Sequence, residues 1–210
     1  QREGYTFLQS EGMYYLAVDY QKMLNDFDCS LGAEVRDYLQ LQARETNERS
    51  FQDAGITISR LELGHRAGAA EQFLQRYPES YRRSQVSDLY FAYTSAFLFG
   101  TDNSPLRDKN GTLKSDTSEA WTQLLREAPQ TQLAAYLRAL QAAEQAPLDE
   151  RSAAYKAVRV ALAEKVFPLY QGVYSGVRGQ ATLLLPNGVA FFLEDRFGVA
   201  ERADELTNGE

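Results

Sequence analysis

The chain has 210 residues, 44% of them hydrophobic and 24% charged, and carries a net charge of −7. That composition supports a packed core that folds without disulfide or metal, and it lies far from the low-hydrophobicity balance of a disordered segment. The acidic balance argues against nucleic acid as a partner, Arg82-Arg83 being the only adjacent basic pair, and no run reaches the roughly 20 apolar residues that span a bilayer.

From the N-terminus, Met13, Leu16, Ala17, Tyr20, Met23, Leu24 and Phe27 follow the spacing of one buried helical face and predict a helix over 13–27, with Ser10 as its N-cap. Leu31, Val35, Tyr38 and Leu39 repeat that pattern. The Cys29-Ser30 step then reads as a short link with Ser30 as a cap, and the two helices as a hairpin. Residues 51–63 are ambiguous: Phe51, Ala54, Ile58 and Leu61 fit a helix, Ile56-Thr57-Ile58 alternates like a strand, and Gly55 interrupts either. Helix is preferred.

After Gly64, residues 67–77 predict a helix ended by Pro78, since the residue before a proline is pushed out of the α region. Val86, Leu89, Tyr90, Tyr93 and Phe97 then form the stripe of a helix over 86–99 expected to be central to the core. The segment Ala69 to Ser80, with its Phe73-Leu74 and Tyr77-Pro78 steps, together with the helix from Val86, resembles the second helix and junction of a tetratricopeptide-type repeat. The likeness implies one helix–turn–helix unit, because no second copy follows at the spacing of about 34 residues that such arrays require.

Residues 102–116, with Pro105 and an Asn110-Gly111 turn, read as a polar loop and a candidate mobile excursion. Three more helices are expected: 118–128 closed by Pro129, 131–145 closed by Pro147, and 149 to about 170, where Pro168 kinks or ends the last. Two short strands around Pro186-Asn187-Gly188 predict a β-hairpin over 181–193. The expected fold is mainly α, an irregular bundle of about seven helices with this C-terminal hairpin, forming one domain over 1–199 before a flexible acidic tail at 200–210.

Little in the chain spells out chemistry. His65 and Cys29 are the only residues of their kinds, which excludes a multi-histidine metal centre and an internal disulfide and leaves a Cys29–His65 nucleophile pair as a remote arrangement. No nucleophile elbow, phosphate loop or dinucleotide fingerprint occurs. Asp108 to Leu113 resembles the middle of a calcium loop, but Leu106 and Thr117 fall where its first and last ligands belong, so a plain turn is expected. Glu11, Glu34 and Glu71 lie near apolar faces and read chiefly as solvated helix flanks. No cofactor and no metal is predicted.

The 13 tyrosines and 11 phenylalanines exceed what a minimal core needs, and tyrosine and arginine are enriched where proteins grip one another. The expectation is a protein-binding adaptor or immunity-type inhibitor of a bacterial envelope or secretion pathway, its partner another protein, with Tyr77, Tyr81, Arg82 and Arg83 as contact residues. Its alternatives are a carboxylate-dependent hydrolase of a polysaccharide or cell-wall substrate, and a small-molecule carrier with an apolar cavity between helices. A start at Gln1 fits either removal of an export signal or trimming, and tips the expected compartment slightly toward periplasm or secretion over cytoplasm.

Overall fold

The computed structural model describes residues 4–10 and 12–166. They fall into two compact units, one running to Thr131 and one from Gln132. The fold is mainly α, as the apolar periodicities require, with two small antiparallel hairpins in the first unit.

The chain opens with a hairpin where a helix is expected. β1 (Tyr5–Ser10) pairs with β2 (Met13–Val18) in a register that sets Phe7 opposite Leu16 and Ser10 opposite Met13. Gly12, at φ +76°, takes the left-handed conformation of the tight connection, which few other residues adopt without strain. The predicted helix survives only as α1 (Tyr20–Phe27). Its cap is Asp19, whose carboxylate accepts the Lys22 amide at 2.8 Å, and not Ser10, which ends a strand. The expectation failed because a run with an apolar residue at nearly every position satisfies both periods, and the β-forming Tyr-Thr-Phe upstream decides for the strand.

A 3-10 turn at Asp28–Ser30 leads into α2 (Ala33–Asn47), so the α1–α2 hairpin is present. Ser30 does not cap it; Gly32 holds that position without a side-chain bond. The ambiguous stretch resolves into both of its readings. β3 (Phe51–Gln52) and β4 (Gly55–Ile56) form a hairpin over Asp53 and Ala54, both at positive φ, and the helix begins only at Arg60. Preferring helix throughout 51–63 was therefore wrong for its first half, where a two-residue turn costs less than threading Gly55 through a helix.

α3 (Arg60–Arg76) is the scaffold of the first unit, packed on α2, α4 and α5. Ser59 caps it by accepting the Glu62 amide, and Tyr77 ends it before Pro78. Gly64 lies inside this helix rather than before it. A Cβ there would sit 2.9 Å from the Phe97 ring of α4 (Arg83–Phe99), so glycine lets the two helices approach closely. α4 buries Val86, Tyr90, Tyr93, Phe97 and Leu98 and is the core helix that its stripe predicted. α5 (Ser115–Glu127) adds Trp121, whose indole N–H donates to the Phe97 carbonyl at 3.2 Å.

The polar loop between α4 and α5 is braced. Leu106 is buried, Arg107 bridges to Leu113, and Asp108 accepts the Asn110 and Thr112 amides at 2.9 Å each in a plain side-chain-capped turn. In the second unit α6 (Gln132–Ala143) buries Leu133, Leu137 and Leu140, and α7 (Leu148–Val166) packs on it with Val158 and Leu162 buried. The Tyr155 hydroxyl fastens the pair by donating to Glu144 at 2.7 Å. The hairpin predicted at 181–193, the effect of Pro168, and the tail at 200–210 lie outside the described residues.

Candidate interaction surface and an adjacent cavity

The first candidate site is the β1–β2 hairpin. Directly paired residues share a face of a two-stranded sheet, so Tyr5, Phe7, Tyr14 and Leu16 stand on one side and Met13 and Tyr15 on the other. Water reaches all six: Tyr5 is 52% exposed, Phe7 48%, Tyr14 70% and Leu16 61%, and Met13 and Tyr15 also count among the exposed apolar side chains. At roughly 100 Å² each, half of what an aromatic buries in a core, the six present about 600 Å² of apolar side chain, the top of the range for the largest patch on a soluble monomer. The strands themselves carry no charge. The hairpin is tied at its edges by the Asp19 N–H to the Gly4 carbonyl at 2.9 Å and by Arg49 to the Gln9 carbonyl at 3.4 Å.

The residues predicted as contacts have mixed fates. The Tyr77 hydroxyl donates to Asp37 at 2.9 Å while its ring packs 5.0 Å from Phe73. Arg82 stacks on the Tyr38 ring at 4.9 Å, and Arg83 donates to the Leu74 carbonyl at 3.1 Å. These three build the α3–α4 junction. Tyr81 alone of the four is wholly exposed.

Around the start of α3 lies a second candidate, a cavity of about 420 Å³ whose apolar wall is Ile56, Ile58, Leu61 and Ala120. Its polar side brings together Arg60, Ser104 and the α5 stripe Asp116, Glu119 and Gln123. The Arg60 side chain is only 6% exposed; its Nε donates to Asp116 at 3.1 Å and its Nη2 to the Ser104 and Pro105 carbonyls at 2.9 and 3.0 Å. Nη1 is buried with no partner. The guanidinium, meeting two carbonyls and one carboxylate, ties the start of α3 to the loop before α5.

Arg66, His65 and the carboxylates singled out in the sequence make contacts within the fold. Arg66, 3% exposed in its side chain, donates to Glu62 and Glu45 at 2.9 Å and to the Glu48 carbonyl at 2.7 Å. Burial works against its cation, and its hydrogen bonds to Glu62 and Glu45 outweigh that and hold its pKa above the usual value. His65 bonds Glu127 at 2.7 Å, and its other carboxylate neighbour is Glu62. Cys29 is exposed in the 3-10 turn and is not among the partners of His65. Glu71, fully buried, accepts from Gln75 at 2.9 Å, Glu34 accepts the Ser80 hydroxyl at 2.6 Å, and Glu11 lies outside the described residues.

Among the described residues no group of three or more His, Cys, Asp or Glu could hold a metal ion, and no helix is long and apolar enough to cross a membrane. The hairpin was missed because its second strand was read as the start of a helix and its first was assigned no element; the Gly12 turn between two aromatic runs was the available signal. The cavity had none, since it joins residues from 56 to 123. No family model, curated protein or solved structure matches the chain.

Proposed function

We propose that the chain is a protein-binding adaptor or inhibitor whose β1–β2 hairpin inserts into an apolar cleft of a partner protein. The observation that carries this reading is the exposure of six large apolar side chains on both faces of one hairpin whose strands carry no charge. A two-stranded hairpin that exposes large apolar side chains on both faces is marginal in water and gains from being covered.

Area chooses the kind of partner. A flat contact, such as face-to-face stacking with a second copy, would use only Tyr5, Phe7, Tyr14 and Leu16, about 400 Å², against the roughly 800 Å² per partner of a stable interface. A cleft that swallows the hairpin takes both faces and comes near that value. The tyrosines favour such a cleft further, giving apolar area with one hydroxyl each to pair at its rim. The net charge of −7 steers the chain toward a partner whose cleft is flanked by basic residues.

The test is quantitative capture from extract with the wild-type chain and with the double variant Tyr14→Ser/Leu16→Ser, both checked for unchanged helical content. One stoichiometric protein held by the wild type and lost by the variant supports the reading. Retention by the variant, self-association of the chain in sedimentation, or capture only by lipid vesicles overturns it.

A further inference from the structure

We infer that the partner adds a β-strand to the outer edge of β2, so that the hairpin becomes two strands of a three-stranded sheet. This rests on the reading that the β1–β2 hairpin is the contact surface, and it names what the partner brings to that surface.

The ladder decides which backbone groups point outward. The Asp19 N–H donates to the Gly4 carbonyl, and with Tyr5 opposite Val18 this makes Gly4 and Asp19 a bonded pair. Bonded and unbonded pairs alternate in an antiparallel ladder, so the bonded pairs within the strands are Thr6 with Ala17, Leu8 with Tyr15, and Ser10 with Met13. Tyr5, Phe7 and Gln9 on β1, and Tyr14, Leu16 and Val18 on β2, therefore turn their N–H and C=O away from the neighbouring strand. The two edges differ. On β1 the Gln9 carbonyl is taken by Arg49, which also sets a charged side chain against that edge. On β2 the backbone groups of Tyr14, Leu16 and Val18 meet no hydrogen-bond partner among the described residues. β2 also lacks the features that keep a sheet edge from pairing: its six residues hold no charge, no proline and no bulge.

The chemistry of that edge selects its occupant. Three alternate residues present three donors and three acceptors along about 13 Å, a pattern that an extended polypeptide matches group for group and a lipid tail does not. Area points the same way. The side chains of the two faces supply about 600 Å², short of the roughly 800 Å² per partner of a stable interface. A strand laid along β2, about 20 Å long and about 10 Å deep, supplies the remaining 200 Å² or so. A second copy pairing edge to edge would lengthen the sheet but leave both of its faces bare, so the strand comes from the protein whose cleft covers them. Met13 and Tyr15 stand on one face of β2 and Tyr14 and Leu16 on the other, all exposed. The added strand thus meets apolar neighbours on both sides, and it is a run apolar at nearly every position rather than an alternating one.

Cys29, exposed and the only cysteine, lets the full chain be assembled by ligation of a synthetic segment 1–28 to recombinant 29–210. In one such chain the backbone nitrogen of Leu16 is methylated, which removes its outward donor and blocks the β2 edge while keeping every side chain. In another the nitrogen of Gln9, outward on β1, is methylated. Neither amide is bonded within the hairpin, so both chains are expected to unfold thermally like the wild type; should the first not do so, methylation at Tyr14, the next outward amide, replaces it. Affinity for the protein captured by the wild-type chain is then measured by calorimetry. Methylation at Leu16 is expected to weaken binding at least about tenfold, and methylation at Gln9 less than about twofold. Equal weakening at the two positions overturns the strand addition. Full affinity of the Leu16-methylated chain does so too, and if Tyr14→Ser/Leu16→Ser still loses the partner, the hairpin reading stands without it. A concentration-dependent dimer abolished by methylation at Leu16 assigns the edge to a second copy, and a wild type that holds no partner overturns both readings.

Discussion

The Tyr93 hydroxyl on α4 donates to the Glu45 carboxylate on α2 at 2.7 Å, tying together two helices 48 positions apart. The same carboxylate receives Arg66 of α3 at 2.9 Å and the Ser50 hydroxyl at the start of the β3–β4 hairpin. One acid thus fastens three helices and a turn. A buried charge network of this kind serves less to add stability than to make its own disruption expensive.

Removing the cation exposes that cost. Arg66→Met leaves the half-buried Glu45 and the more exposed Glu48 and Glu62 without their shared partner, and the first unit is expected to lose about 1–3 kcal/mol in urea unfolding. A loss under about 1 kcal/mol would mean that the carboxylates reach water easily. Trp121, buried and the only tryptophan, reports the transition by fluorescence.

Tyr93 gives a pH dependence of known sign. Burial, then the Glu45 charge, push its pKa far above the ordinary value of 10.0. The folded phenol therefore stays protonated where the unfolded one ionises, so its contribution is complete below pH 10 and is lost as pH rises beyond it. Between pH 9 and pH 11 the wild type is expected to lose about 1.4 kcal/mol more than Tyr93→Phe, measured by urea unfolding at each pH. Equal losses would contradict the burial of this hydroxyl.

The α3–α4 approach is tested at Gly64. Alanine there is favoured by helix propensity by about 1 kcal/mol, but its methyl meets the Phe97 ring at 2.9 Å and Leu124 at 3.3 Å. Overpacking wins. Gly64→Ala is expected to lower stability by about 1–2 kcal/mol, whereas Gly68→Ala on the same helix, with open space around it, is expected to raise it. Thermal unfolding of the two variants side by side decides.

Helices α2 to α5 were legible because their apolar stripes run over three or more turns, long enough to fix the period. Shorter pieces were not. Residues 51–56 hold a hairpin only two residues long on each side, and residues 13–18 are so uniformly apolar that strand and helix fit alike. The contacts that Tyr77, Arg82 and Arg83 make within the chain, with Asp37, Tyr38 and Leu74, are pairings no local pattern encodes.

The small hairpin supplies a stabilising change. Asp53 and Ala54 occupy the two positive-φ positions of its turn, and Ala54 at φ +53° bears a Cβ that this conformation disfavours. Ala54→Gly is expected to gain about 0.5–1 kcal/mol, the relief of the strained residue exceeding the added freedom of the unfolded chain. Thermal unfolding checks it; a loss would mean that the turn tolerates alanine without strain.

The central claim, that the β1–β2 hairpin is the contact surface, is tested most directly by amide hydrogen exchange of the chain alone and with its captured partner. The account predicts rapid exchange across residues 5–18 in the free chain and slowing of at least about tenfold throughout both strands in the complex. Unchanged exchange in that segment, with protection falling instead around residues 77–83 or elsewhere, would contradict it.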